Sequence, residues 1–225
     1  MEENRRSVRS YVIRAARLTT GQKRALKELY PLFGVDFPPP ASVGTLFPAS
    51  QRVVVEIGFG NGEATVEMAK AQPETGFLGI EVHPPGVGHL LNEIRREGLL
   101  NLRILQHDAV DVVASLADDS VDAFHVFFPD PWPKKKHHKR RLLSQGFLQE
   151  LGRVLKPGGE FYFATDWEEY GLEVLESLGR LSVFENHFGT WAIDVKSRPS
   201  TRFERRGLLE HRPIREVLVQ KRKVT

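Results

Sequence analysis

Residues 52–71 read RVVVEIGFGNGEATVEMAKA. Val53, Val54, Val55 and Ile57 form a β-branched apolar run, the pattern of a strand buried on both faces. Gly58, Gly60 and Gly62 follow, with Asn61 among them, and Glu63–Lys70 has helical composition. A strand, a glycine turn and a helix in this order open many nucleotide-binding α/β domains. The glycines let the backbone turn tightly and let a ligand approach without meeting a Cβ.

The same unit recurs downstream. FLGIEV at Phe77–Val82 is a second short strand, followed by a helix over His83–Glu97 with Leu90, Leu91 and Ile94 as its apolar stripe and Gly98 placed to cap it. Leu102–Leu105 is a third strand and Val121–Phe128 a fourth. A helix over Leu142–Leu155 ends at the break Lys156-Pro157-Gly158-Gly159, and a fifth strand spans Glu160–Thr165. Tyr170–Leu178 is helical, Leu181–Phe188 and Arg215–Gln220 are late strands, and the Arg-rich stretch 196–212, which lacks a clear period, reads as a loop. Five β-then-α units with short connections imply a mostly parallel, doubly wound sheet with helices on both faces.

In such sheets ligands bind beyond the carboxyl ends of the strands. Those ends carry Glu56, Glu81, Asp108, Asp130 and Asp166. Five acids at five successive strand ends are hard to explain by solubility. Glu56, just before the glycine turn, would repel a pyrophosphate and suits a cation; S-adenosylmethionine carries an ammonium and a sulfonium and no phosphate. Glu81 lies about twenty residues beyond the turn, the offset at which an acid grips ribose hydroxyls; the bland reading is an exposed strand-end carboxylate. Asp108 suits an adenine amino group, or an N-cap for the following turn, and the two roles are compatible. His107 reads as a packed or loop histidine.

The fourth strand runs into Pro129-Asp130-Pro131-Trp132-Pro133 and then Lys134–Arg141, KKKHHKRR. Asp130 is placed to face a reaction centre, and the basic block to hold a polyanion; a solvated charge run is the bland alternative. Trp132 suits either base stacking or a buried hinge. The net charge is only +3, but between Ser42 and Pro133 the basic residues are Arg52, Lys70, Arg95, Arg96 and Arg103 alone. Apart from Arg153, Lys156 and Arg180, the rest lie in the first thirty residues, in Lys134–Arg141 and from Lys196 onward, a polarity that suits nucleic acid. Met1–Tyr30 carries Arg5, Arg6, Arg9, Arg14, Arg17, Lys23, Arg24 and Lys27 with weak amphipathicity, and is expected to order only against a partner. Phe37-Pro38-Pro39-Pro40 is a stiff linker. The expected division is a flexible, RNA-contacting segment over 1–44 and a folded domain over 45–225.

The 225 residues contain no cysteine, which removes thiolate metal sites and any route through a Cys nucleophile. No apolar run approaches membrane-spanning length and no apolar signal core follows the charged N-terminus, so a cytoplasmic protein is expected.

EIGFGNG (56–62), FLGIEV (77–82), HDA (107–109), FFPDPWPKK (127–135), LKPGG (155–159), ATDW (164–167), RPSTRFERRG (198–207) and the N-terminal RSYVIRAARLTTGQ (9–22) together resemble the bacterial tRNA (guanine-N7-)-methyltransferases over nearly the whole chain. The glycine turn and LKPGG are shared with many class I methyltransferases; FPDPWPKK followed by TRFE is far more specific. The resemblance implies a Rossmann-like class I fold with an antiparallel C-terminal strand. It implies methyl transfer from S-adenosylmethionine, without a metal, to N7 of a guanine in the variable loop of tRNA, by a monomer or homodimer. It implies that Glu56, Gly58, Gly60, Glu81, Asp108 and Asp130 meet the methyl donor, with Asp130 catalytic. Lys134, Asp166, Thr201, Arg202, Phe203 and Glu204 are implied to bind the substrate. Position 202 is Lys in the family pattern and Arg here; both are cations, but Arg forks onto its partner. Lys134, Lys135, Lys136, Lys139, Arg140, Arg141, Arg202, Arg205 and Arg206 are the expected phosphate contacts. Three rivals share features with this reading: an exocyclic-amine methyltransferase, a nicotinamide-dependent dehydrogenase, and a non-catalytic RNA-binding protein.

Overall fold

The computed structural model describes residues 9–12, 17–193, 195 and 198–223. Arg5, Arg6, Arg14 and Lys196, singled out above, lie outside the described residues. The frame is a seven-stranded sheet in the order β3-β2-β1-β4-β5-β7-β6. Strand β1 (Arg52–Ile57) is buried along its whole length after Arg52, because it lies centrally with β2 (Thr75–Ile80) on one side and β4 (Val121–Phe127) on the other, both parallel to it. β3 (Leu102–Leu105) extends the sheet beyond β2, and β5 (Leu155–Thr165) extends it beyond β4. The chain therefore builds outward from β1 to β3, then returns to the other side of β1. That reversal opens a crevice between β1 and β4.

Successive side chains of a strand face opposite sides. Val53, Val55 and Ile57 pack on one face against α5 (Ala109–Ser115), α6 (Gln145–Val154) and α7 (Glu168–Gly179). Val54 packs on the other against α3 (Glu63–Ala71) and α4 (Pro84–Glu97), with Phe77, Met68, Leu90, Leu91 and Ile94 in that core. The left-handed Gly98 ends α4 as expected, with φ 65°. Helix α5 had been read only as a turn capped by Asp108; its apolar positions Val112 and Val113 are fully buried.

Three expectations change. The N-terminal segment is ordered over residues 20–33 in α1 (Thr20–Glu28) and α2 (Tyr30–Phe33). Thr19 and Gln22 cap α1 reciprocally, Gln22 Nε2 donates to Pro85 O at 3.0 Å, and Ala25 and Leu29 enter the core. Its weak stripe suffices because the helix crosses α4 at Gly88, where a Cβ would lie 2.9 Å from Gln22 Cβ. Lys156–Gly159 does not interrupt the fifth strand but lies inside β5, as an irregularity against β4. The stretch 196–212 is not all loop: α8 (Arg202–Leu209) starts there, capped by Thr201 and Glu204. β7 (Arg215–Lys221) then pairs antiparallel with β5, and β6 (Phe184–Glu185), the remnant of the expected strand Leu181–Phe188, pairs antiparallel with β7.

Gly88→Val should force α1 off α4. The expected cost is about 1–3 kcal/mol of unfolding free energy, with faster tryptic cleavage after Lys23 and Arg24. Unchanged denaturant and proteolysis curves would remove α1 from the folded core.

Candidate active site

The glycine turn hangs from the end of β1. Gly58, Gly60 and Gly62 all take positive φ, at 76°, 61° and 79°, a region open to glycine and strained for other residues. The turn is held from outside. Gly60 N donates to Glu81 Oε2 at 3.0 Å, while Glu81 Oε1 accepts from Val82 N (2.7 Å) and His83 N (3.0 Å). Gly86, in the first turns of α4, lies so close that a Cβ there would stand 2.1 Å from Gly60 O. Glu81 thus braces the turn, and Oε2 keeps acceptor capacity toward the cleft.

That cleft measures about 880 Å³, large enough for a nucleoside-sized ligand. Gly58, Gly60, Glu81, Asp108, Asp130 and Phe203 are among its lining residues. Asp108 caps α5, its Oδ1 accepting from Val110 N at 3.0 Å, so the cap role read in the sequence is met by a residue that also faces the cleft. His107 stacks on Phe37 with centroids 3.9 Å apart, the packed histidine expected.

Glu56 lines a smaller void with Gly58, Phe128, Thr201, Arg202 and Phe203, and that void shares Gly58, Phe128, Arg202 and Phe203 with the cleft. It is 4% exposed, and its Oε2 has no hydrogen-bond partner. Burial pushes its carboxyl up to about 7; the Thr65 hydroxyl pulls it back and the nearby Glu81 charge pushes it further up. A buried carboxylate without a cation is costly, and the arrangement favours a cationic ligand.

Asp130 is exposed, in a turn whose backbone is strained on both sides: Phe128 and Trp132 take φ 52° and 46°. Phe128 N donates to Ala164 O at 2.8 Å, which ties the turn to β5. Trp132 is half-buried; its Nε1 donates to Ser10 O at 3.1 Å and its ring lies under Arg140 (5.2 Å) and edge-on to His137. The N-terminal residues Ser10, Tyr11 and Val12 consequently line the cleft.

The expected substrate residues divide. Thr201, Arg202 and Phe203 face the cleft or its floor. Lys134 is exposed just beyond the turn and lines neither cavity. Asp166 is paired with Arg212 at 2.8 Å and packs beside Gly207 of α8. Glu204 is occupied twice: it caps α8 with Thr201 and takes Arg198 in a fork at 2.7 and 3.2 Å. Arg141 must leave the phosphate-contacting set. It is 4% exposed, bonded to Pro131 O and Glu173 and laid over Tyr170, so it anchors the basic block to α7. The other eight members are exposed or half-buried.

The sequence reading missed Arg198, His125 and Tyr162. Arg198 bonds Glu204 and Glu216 and stacks within 5.7 Å of Phe127 and 5.4 Å of Phe128, tying α8, β7 and the end of β4 together. His125 sits beside Glu56 in the β1–β4 register. Burial, with Arg52 adding, drives its imidazole down to about 3, so it stays neutral at neutral pH. The Tyr162 hydroxyl is buried, and burial raises its pKa. Arg198 opens the RPSTRFERRG motif, where it was passed over for its neighbours; no period or motif marks His125 or Tyr162.

A family model described as "Putative methyltransferase" matches residues 50–217. A tRNA (guanine-N(7)-)-methyltransferase of Neisseria meningitidis serogroup A is 47% identical over 91% of this chain and 87% of its own. The chain belongs to the tRNA (guanine-N7-)-methyltransferase family. The members of that family from Methylobacillus flagellatus (48% identical, covering 91% of this chain and 87% of their own) and Chromobacterium violaceum (45%, 91% and 91%) agree. The fold extends further. The aminoglycoside resistance methyltransferase NpmB1 superposes with TM-score 0.58 at 17% identity (80% of this chain, 91% of its own), and the antibiotic-resistance methyltransferase Kmr with 0.59 at 17% (82% and 93%). These two share the class I sheet. Family membership also settles the rivals: it is neither a dehydrogenase family nor a family of non-catalytic RNA-binding proteins.

Because the Glu56 carboxyl is raised in the folded protein, its contribution to stability is fully present below the unfolded value near 4.5 and is lost as pH rises through about 7. Glu56→Gln removes that titration. In urea unfolding of the ligand-free protein, the stability of Glu56→Gln relative to wild type should grow in the variant's favour from pH 4.5 to 8. A difference independent of pH would contradict the buried, unpartnered state.

Proposed function

We infer that the chain transfers the methyl group of S-adenosylmethionine to N7 of a guanine in tRNA, in the variable loop, and that its cleft between β1 and β4 is where it does so. The observation that carries this reading is Glu56, a buried carboxylate with an unpartnered oxygen in a small void that shares Gly58, Phe128 and Phe203 with the nucleoside-sized cleft. The donor set fits a cationic nucleoside and suits a pyrophosphate poorly. S-adenosylmethionine, when bound, supplies a methyl group activated by its positive sulfur. Glu56 and the glycine turn would hold its charged amino acid end, Glu81 its ribose hydroxyls and Asp108 its adenine.

Guanine N7 has a free lone pair and no proton to lose. Its lone pair forms the new bond to carbon as the carbon–sulfur bond breaks, and positive charge moves onto the purine. No general base is required, so the protein's work is alignment and charge stabilisation. Asp130, carried on a turn strained at Phe128 and Trp132, is the carboxylate placed to orient the base and favour the cation.

N7 faces a groove of RNA that side chains enter poorly, so the target must be exposed or extruded. The exposed Lys134, Lys135, Lys136 and Lys139, with Arg202, Arg205 and Arg206 on α8, form two cationic shoulders for the phosphates around it. The N-terminal segment, which reaches the cleft mouth at Ser10–Val12, is the third contact with RNA in this reading.

Asp130→Asn should lower the methylation rate by about 100-fold or more with no dependence on pH between 6 and 9 that wild type lacks; a wild-type rate removes Asp130 from the mechanism. Labelled S-adenosylmethionine, unmodified tRNA and nucleoside analysis of the product locate the methyl group, and product other than 7-methylguanosine contradicts the function. Affinity for tRNA should fall steeply with salt, and Lys134→Gln should reduce the log–log salt slope by about 1. A slope unmoved by that substitution takes Lys134 off the phosphate path.

A further inference from the structure

Two aromatic rings face the cleft from elements 75 residues apart in sequence. Phe128 projects from the strained turn after β4, next to Pro129 and Asp130, and Phe203 from the first turn of α8. Their centroids are 6.5 Å apart and their planes are inclined by only 20°. Stacked bases rise about 3.4 Å per step, so a planar ring received between two others needs them about 7 Å apart. The centroid separation of Phe128 and Phe203 is close to that value. Both also line the cleft and the small void beside Glu56, so both rings are reached from the cleft. Phe203 keeps 43% of its surface exposed even with the Arg202 guanidinium 4.8 Å from its ring centroid.

The spacing is fixed from behind. The Arg198 guanidinium stacks 5.4 Å from Phe128 and forks onto Glu204, one residue after Phe203, so a single buried cation sets one wall against the other. Phe128 is held in the left-handed region at φ 52°, a conformation that costs free energy and is kept where the surroundings impose it.

We propose that the target guanine is received between the faces of Phe128 and Phe203. The proposal rests on the reading of the chain as a guanine-N7 methyltransferase and adds the device that holds the base flat beside Asp130. Its chemistry suits the reaction: as N7 gains the methyl group the purine becomes a cation, and aromatic faces attract a cation more than a neutral ring. The pair therefore holds the charged product-like base better than the incoming one, and its loss falls chiefly on kcat.

The test uses the full-length protein with tRNA carrying 2-aminopurine at the position the enzyme methylates, whose fluorescence is quenched on stacking, alongside kinetics on unmodified tRNA. Wild type should quench the probe. Phe128→Leu and Phe203→Leu should abolish the quenching and lower kcat by about 10- to 100-fold, with S-adenosylmethionine affinity within about twofold. Phe203→Tyr, which keeps the ring, should retain both quenching and rate. Leu variants that turn over at the wild-type rate, quenching that survives in both, or a parallel loss of donor affinity would overturn the proposal. Absence of tRNA methylation by wild type would overturn the function itself, and the proposal with it.

Discussion

Desolvation of one carboxylate governs this architecture. Glu56 sits on an interior strand of the sheet, in register with Gly79 on β2 and His125 on β4, where it is buried and, among the described residues, forms no ion pair with a protein cation. Such a group weakens the fold, because its ionised form is taken from water without compensation. The strand reversal localises that cost at the one place where the sheet parts and a ligand can enter. The surrounding elements then follow: a glycine turn that keeps Cβ atoms away, Glu81 bracing that turn through three backbone N–H groups, and Gly86 admitting the turn against α4.

The acid row and the cationic rim are kept apart by ion pairs that are internal to the rim. Arg141 is spent on Glu173, Arg198 on Glu204 and Glu216, and Arg212 on Asp166. Each guanidinium is buried or half-buried and anchors a segment that shapes the cleft. Lys134, Lys135, Lys136 and Lys139, by contrast, stay in solvent. This division matches the chemistry of the two side chains: the planar fork of Arg suits a fixed carboxylate, and the hydrated ammonium of Lys suits a mobile phosphate.

Much of this was legible in the sequence, for identifiable reasons. Valines 53–55 are buried on both faces, so composition alone marked the central strand. Four of the five strand-end acids lie in or under the cleft because parallel strands bring their ends to one edge. Asp166 reaches the same edge but pairs with Arg212. What was missed had no period to read. Helix α1 is nine residues and α8 eight, too short for a convincing stripe, yet each begins with a Thr-x-x-Gln or Thr-x-x-Glu capping box, at Thr19–Gln22 and Thr201–Glu204. Cap chemistry was the available signal, and it outweighed periodicity. Arg141 looked like one more surface cation in a run of eight; only the packing of Tyr170 and Glu173 beside it sets it apart. Glu204 had been assigned to the substrate, while the geometry gives it to Arg198 and the α8 cap.

The antiparallel β7 has a consequence for how the opening is assembled. A parallel strand at that place would deliver the chain to the carboxyl edge only on leaving the sheet. β7 runs the other way, so the chain must already be at that edge, at Arg215, when it enters. The polypeptide therefore crosses above the crevice before it joins the sheet, and α8 is the bridge it makes on the way. Late residues are thereby roofed over early ones, and the shape of the entrance is decided by strand direction rather than by loop length.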